Sequence, residues 1–361
     1  MVPIKIWERY FYAQTLKSFL LFLLGFYGVY VLIDYSSHSS SFHHNHVRFQ
    51  WTEVALYYTF EFVKRVEVLV PFALLIATVK SLCSLNQNNE LVALMACGIS
   101  LKRLLRPFIL LGLFFTLLLY FNTEFILPFG MKALKNIDDK HSNQKQKNSK
   151  VSPVQYLLLE DQSTIIFQNY DTARELFFDA YWIRSIDDMY RIKYLFPYNE
   201  TPTGHFVDHF VRNHKGELAQ KESFSLKSFP QMRFNNTTLW ETITPPDHLA
   251  LSLLWNKLPN FSGEINEKEA QTLSAFYYKL AIPWLCFLAV IGPAPWCVRF
   301  GRHQPVFFIY ACSIFGLVAC YLVMDSVLIL GERQVTSPAI AIGVPMGLFL
   351  SLFGWKFFKQ L

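Results

Sequence analysis

The sequence predicts an α-helical membrane protein: six spanning helices, with an all-β domain inserted between the third and the fourth. Three observations predict it. Hydrophobic residues make up 52% of the 361 positions and charged residues only 17%, with a mean hydropathy of +0.24, too apolar for an ordinary soluble chain. The apolar residues gather into six runs, each long enough to cross the hydrocarbon core. Between the third and fourth runs the pattern changes to short β-branched and aromatic stretches separated by Asp, Asn, Gly, Lys or Pro.

Taken in order, Met1 to Lys17 mixes Lys5, Arg9 and Lys17 with Ile4, Trp7, Tyr10 and Phe11. It reads as an amphipathic helix lying in the interface and leading into a first span at about 18–33. No small-residue cleavage site follows that span, so a retained anchor is expected rather than a signal peptide. Asp34 to Arg65 reads as a polar, aromatic connection, with His38, His43, His44 and His46 in a Ser-rich stretch. No carboxylate or cysteine accompanies them at ligand spacing, so no metal site is expected. The second span falls at about 66–85 and the third at about 104–127, ended by Pro128.

Residues 131–150 form a polar linker. VQYLLLE, TIIFQNY, ELFFDAYWI, YRIKYLF, HFVDHFV and SFSLKSF then read as the strands of a sandwich or open barrel. The segment is too polar for a transmembrane barrel. TTLWETITPPDHLALSLL leads back, and three spans follow at about 272–298, 305–330 and 338–358. The expected domains are therefore 1–130, 131–265 and 266–361.

The net charge of +6 could suggest nucleic acid, but in the short loops Lys and Arg gather on one side of the membrane, the opposite loops carrying only Arg48, Lys64, Arg65 and Arg333 offset by Asp34, Glu53, Glu61, Glu67 and Glu332. Lys5, Arg9, Lys17, Lys102, Arg103, Arg106, Arg299 and Arg302 lie on the Lys/Arg-rich side, which is then cytoplasmic. Both termini are expected there, the β domain is expected on the opposite side, and no nucleic-acid partner is expected. The six cysteines lie in or beside apolar runs, without zinc-ligand spacing.

One cytoplasmic connector stands out: NQNNELVALMACGIS, from Asn86 to Ser100. Asn88 suits an N-cap, Glu90 the positive first turn and Gly98 a left-handed C-cap. Leu91, Leu94 and Met95 share one helical face. The pattern fits either a loop helix lying on lipid or a docking knob for a soluble partner.

Four stretches carry a family resemblance: ELVALMACGIS (Glu90 to Ser100), ETITPPDHLALSLL after the β domain, AFYYKLAIPWLCFLAVIGPAPWCVRFGR (Ala275 to Arg302), and LGERQVTSPAIAIGVP (Leu330 to Pro345). In this order the chain resembles the LptF/LptG (YjgP/YjgQ) permeases of lipopolysaccharide export. The Ile33-Asp34 end of the first span leans toward the LptG branch. The resemblance implies a jellyroll-like periplasmic β domain and a transmembrane subunit of an ATP-driven exporter in the bacterial inner membrane. It implies that the connector docks on an LptB-like cytosolic ATPase dimer through Glu90, with Leu91, Leu94 and Met95 as apolar contacts and Gly98 closing the helix. It further implies a paralogous LptF-like permease, LptC/LptA-like periplasmic β proteins as a bridge, and lipopolysaccharide between the two permeases, gated by the first and fifth spans. LptG-type chains carry basic residues at the outer end of the first span. Here Asp34 and a Ser/His stretch stand instead, which moves phosphate capture to Arg48, Lys64 and Arg65. The histidines could assist only below about pH 6.5.

Catalytic signals are missing. No GxxxxGK[ST] occurs, so a nucleotide site would lie on another polypeptide. Asp138-Asp139 and Asp187-Asp188 read as linker and turn charges, and neither G-x-S-x-G nor HExxH occurs. No cofactor is expected. Lys279, Asp325 and Glu67 are the ionisable residues in or near spans, where such groups face a bundle interior or a wet cavity. Asp325, in the fifth span, is a candidate contact in the cavity between subunits. The alternative reading is a membrane-embedded envelope-lipid enzyme or assembly factor without an ATPase partner. It needs catalytic carboxylates at the membrane face, and the sequence offers none.

Overall fold

In the computed structural model the described residues are 5–43, 51–131, 155–159, 163–171, 176–197, 201–213, 217–232, 246–258, 267–299 and 305–360. The chain divides into two compact units: residues 1–130 with 250–361, and residues 131–249. The expected domain end at 265 thus moves to Leu249, because the return segment packs with the helices.

The helical unit contains α1 (Ile6–His43), α2 (Trp51–Gln87), α3 (Glu90–Ala96), α4 (Leu101–Phe121), α5 (Leu251–Asn256), α6 (Glu267–Ala281), α7 (Trp284–Ile291), α8 (Ala294–Cys297), α9 (Val306–Glu332) and α10 (Pro338–Gln360). Six stretches among the described residues are long and apolar enough to cross a membrane: Ile6–Ser37, Val54–Gln87, Leu101–Met131, Glu269–Cys297, Val306–Glu332 and Pro338–Lys359.

Three expectations change. The surface helix before span one does not exist separately: α1 runs unbroken, and Phe11 and Phe19 both enter the helical core. The polar connection between spans one and two is largely helical, shared by the end of α1 and the start of α2. No Gly or Pro occurs in Val29–His43 or Trp51–Val70, so nothing breaks the helix within those parts of α1 and α2. Nor does Pro128 end span three. A π-turn at Asn122–Ile126 loosens the hydrogen-bond ladder just before it, and the helical run continues to Met131.

Span four is the central post. It packs against α2 and α4 through α7, and against α9 and α10 through α6. Of its apolar window 72% is buried, against 11% for span one. It is built in three pieces because Pro283 and Pro293 each lack an N–H and interrupt the ladder. Span one packs chiefly on α2 and α4, leaving Leu21, Leu24, Leu32 and Ile33 exposed. That is the composition of a face turned to lipid or to another membrane chain.

The second unit carries one antiparallel sheet of β1 (Gln155–Leu158), β2 (Thr164–Asp171), β3 (Leu176–Ser185), β4 (Asp188–Phe196), β5 (Thr203–Arg212) and β6 (Leu218–Ser228), in sequential order. The sandwich or open barrel read from the sequence is, in the described strands, this single meander. Its buried face includes Ile165, Phe167, Phe177, Trp182, Ile192, Leu195 and Val207.

Alternation inverts along one line. Pairing skips Gln168, Asp179, Lys193, Phe206 and Ser225, which lie opposite one another across five strands. Asp179 and Phe206 have φ of 48° and 54° there. On one side of the line Ala180, Ile192 and Val207 point inward; on the other, Phe177, Leu195 and Gly204 do. The register does not slip at this line, although it shifts elsewhere at Ile183/Ser185 and His209/Phe210, so the crease keeps one continuous apolar face where strict alternation would have turned half of it outward.

Candidate functional site

The connector forms a compact knob at the end of the bundle where α1 begins. α3 holds seven residues, Glu90–Ala96. It closes with Gly98 in the left-handed region at φ 82°. The Gly98 N–H donates to Met95 O at 2.9 Å and the Ile99 N–H to Leu94 O at 3.3 Å. This is a Schellman turn, with Leu94 and Ile99 both packed on the core as its hydrophobic pair. The N-terminus differs from expectation. Asn89, not Asn88, occupies the cap position, in the left-handed region at φ 58° and without a side-chain cap. Asn88 instead donates from Nδ2 to Glu90 Oε1 at 3.3 Å. Tyr10 of α1 also reaches Glu90, so the carboxylate is held at the knob's rim.

Leu91 is fully buried, so it anchors the knob and cannot touch a partner. Leu94 and Met95 are half-buried against the same core. The face left open consists of Val92, Ala93, Ala96, Cys97 and Gly98. Of the three expected apolar contacts, Leu91 is thus turned into the core, Leu94 and Met95 stand half-open, and both faces of LVALMA are apolar. The signal that tells the faces apart is size: the large residues go inward and the small ones leave room for another helix.

The root of the knob is tied to span four. Asn86, on the last turn of α2, donates from Nδ2 to Cys297 O at 2.9 Å and to Arg299 O at 3.2 Å. A helix end leaves its last carbonyls without intrahelical donors, and Asn86 supplies them from across the bundle. One turn earlier, the buried Cys83 and Cys297 thiols lie near each other.

At the opposite end, spans one and two are linked by tyrosines. The Tyr30 hydroxyl donates to Glu61 Oε1 at 2.9 Å, Arg65 Nε reaches the same oxygen at 3.1 Å, and the guanidinium lies 4.9 Å from the Tyr30 ring centre. Tyr58 donates to Asp34 Oδ2 at 3.2 Å, and the Tyr27 hydroxyl to the Tyr58 carbonyl. Of the expected phosphate contacts, Arg65 is therefore engaged by Glu61, Lys64 is exposed, and Arg48 lies outside the described residues. Asp325 is exposed on α9 and accepts the Tyr278 hydroxyl at 2.5 Å. Glu124, in the π-turn, accepts the Ser252 N–H at 3.1 Å and so caps the short helix α5. Among the described residues no group of three His, Cys, Asp or Glu could hold a metal ion.

The profile of the family described as lipopolysaccharide export system permease LptF/LptG matches residues 9–359. The chain belongs to that family. No curated protein matches it. The match does not distinguish the LptF from the LptG branch. Within an LptF/LptG permease the knob, the Asn86 tie and the Tyr30–Glu61–Arg65 group stand at opposite ends of the same helices α1 and α2. Asn86, Tyr30 and Glu61 were missed in the sequence because their roles depend on partners far away in the chain.

Proposed function

We propose that this permease is one transmembrane subunit of an ATP-driven exporter that extracts lipopolysaccharide from the inner membrane. Its β domain, on the periplasmic side, passes the glycolipid to a bridge of LptC/LptA-like β proteins. Both termini and the knob face the cytoplasm, where an LptB-like ATPase dimer grips α3. A paralogous permease completes the cavity. The chain itself does no chemistry; its part is to turn motion of a docked motor into movement of membrane helices.

The knob carries the reading. A seven-residue helix, closed by a Schellman turn and pinned by a fully buried leucine, is a stiff element presenting small side chains and one carboxylate. A helix merely resting on lipid would turn its large apolar residues toward the bilayer and would gain nothing from Glu90 at its rim. The basic short loops support a cytoplasmic position for this end by the positive-inside rule, the side on which the nucleotide is. At the far end, Arg65 and Lys64 offer cations to lipid phosphates, Arg65 in competition with Glu61.

The test is to express the permease with its candidate paralogue and ATPase and to purify the complex in detergent. Wild type should retain ATPase stoichiometrically, and Glu90→Arg should lose it. No ATPase with either chain would overturn the reading. Equal retention by both would keep the exporter and remove Glu90 from its role.

A further inference from the structure

We infer that Asn86 is the residue that hands displacement of the knob to span four. The inference rests on the reading of α3 as the docking helix.

Asn86 stands four residues before Glu90, at the root of the knob. It is bound to backbone, not to mobile side chains: its amide bridges the carbonyls of Cys297 and Arg299 at 2.9 and 3.2 Å. Two bonds from one planar amide fix position and orientation together, so α8 must follow when the end of α2 moves sideways. The buried Cys83 and Cys297 thiols, near each other, lie beside it and give the joint a second point.

What receives the motion is built to move as a piece. α8 is separated from α7 by Gly292 and Pro293. Proline donates no hydrogen bond, so the ladder is open at that point and α8 can swing against α7. Gly292 approaches its own helix so closely that a Cβ there would meet Leu288 O at 2.9 Å. α8 in turn packs on α9 and α10, and Lys356 of α10 lies 3.8 Å from the Trp296 ring centre. The tie therefore connects the knob to the helices of spans five and six by way of the central post. Asn86 is a positioning residue. It does not touch a motor or a lipid.

The test uses the complete exporter with its ATPase and paralogue, reconstituted in liposomes loaded with lipopolysaccharide. Three quantities are read: ATPase retained, ATP hydrolysed, and lipopolysaccharide released per ATP. Asn86→Asp keeps the shape but replaces the donor with an acceptor-only carboxylate that faces two carbonyl oxygens. It should retain the ATPase and its hydrolysis while release per ATP falls about tenfold, the factor that a lost coupling of ~1.4 kcal/mol gives. Asn86→Gln, which keeps the donor on a longer arm, should recover part of the loss. An unchanged ratio in Asn86→Asp overturns the inference. So does loss of the ATPase itself in Asn86→Asp, since Asn86 would then only shape the dock. Absence of ATPase from the wild-type complex would instead sink the docking reading.

Discussion

Tyr30 of α1 and Glu61 of α2 meet side chain to side chain at 2.9 Å, and the Glu61 oxygen that accepts the hydroxyl also accepts Arg65 Nε at 3.1 Å. Glu61 is buried while the Arg65 side chain is half-exposed. The carboxylate is thus fixed, and the guanidinium is the member that can turn to another anion. On the proposed function, Glu61 and a lipid phosphate would compete for the same cation. Glu61→Gln should therefore raise lipopolysaccharide retention by the purified exporter, and Arg65→Gln should lower it. Tyr30→Phe should cost about 1 kcal/mol of stability, the value of a part-exposed hydrogen bond, read as a lower melting temperature in detergent. Effects of the same sign from Glu61→Gln and Arg65→Gln would refute the competition.

On the knob, burial separates anchor from contact. Leu91→Ala opens a cavity beneath α3 and should cost about 2–4 kcal/mol, with ATPase binding lost as a consequence. Val92→Asp and Ala93→Arg change exposed positions and should leave the melting temperature unchanged while abolishing ATPase retention. A motor that still binds both exposed variants would show that it grips another face.

Gly98 allows the knob to close. Its φ of 82° meets no steric obstacle, since a Cβ there would have nothing within 4 Å. The cost of Gly98→Ala is then conformational alone, about 1 kcal/mol. Gly98→Asn should cost less, because Asn tolerates the left-handed region. Melting of the two variants side by side measures this.

Much of the fold was legible because each element declares itself locally. Six apolar runs and six alternating stretches were enough to find every span and strand among the described residues. What failed was what depends on distant partners or on competing local signals. Pro128 reads as a stop until the π-turn before it is seen. The alternation in HFVDHFV cannot reveal that it inverts at Phe206, because the inversion belongs to a row shared with Asp179 and Lys193. Asn86 is only the first residue of the connector in the sequence, yet its partners lie 211 and 213 residues away. The short helix α3 was legible from Glu90 and Gly98, while its N-terminal Asn89 and its inward face needed the core.

Gly331 and Ser274 test the packing between spans five and four. A Cβ at Gly331 would stand 2.7 Å from Ser274 Oγ. That hydroxyl is buried and has no hydrogen-bond partner. Gly331→Ala should cost about 1–3 kcal/mol by overpacking. Ser274→Ala removes an unsatisfied polar atom and should be neutral or stabilising. In the double variant most of the loss should disappear, which makes the two effects non-additive. Simple addition in thermal melts would mean the helices yield elsewhere.

Asp325 separates the isolated permease from the assembled exporter. Its carboxylate is exposed on α9 among exposed Leu322, Val323 and Ile329, with the Tyr278 hydroxyl as its hydrogen-bond donor. A charge on a face turned to acyl chains costs up to about 3 kcal/mol, less toward the headgroups. If lipid were the final neighbour, Asp325→Leu would stabilise the chain and leave transport alone. If α9 instead lines the cavity shared with the paralogue, the carboxylate has a polar environment only in the complex. Asp325→Leu should then leave the isolated permease as stable as wild type or more so, while lipopolysaccharide release by the assembled exporter falls. Tyr278→Phe, which removes the donor but keeps the charge, should reduce release less than Asp325→Leu does. Transport at the wild-type rate in Asp325→Leu would return the residue to an ordinary position near the headgroups.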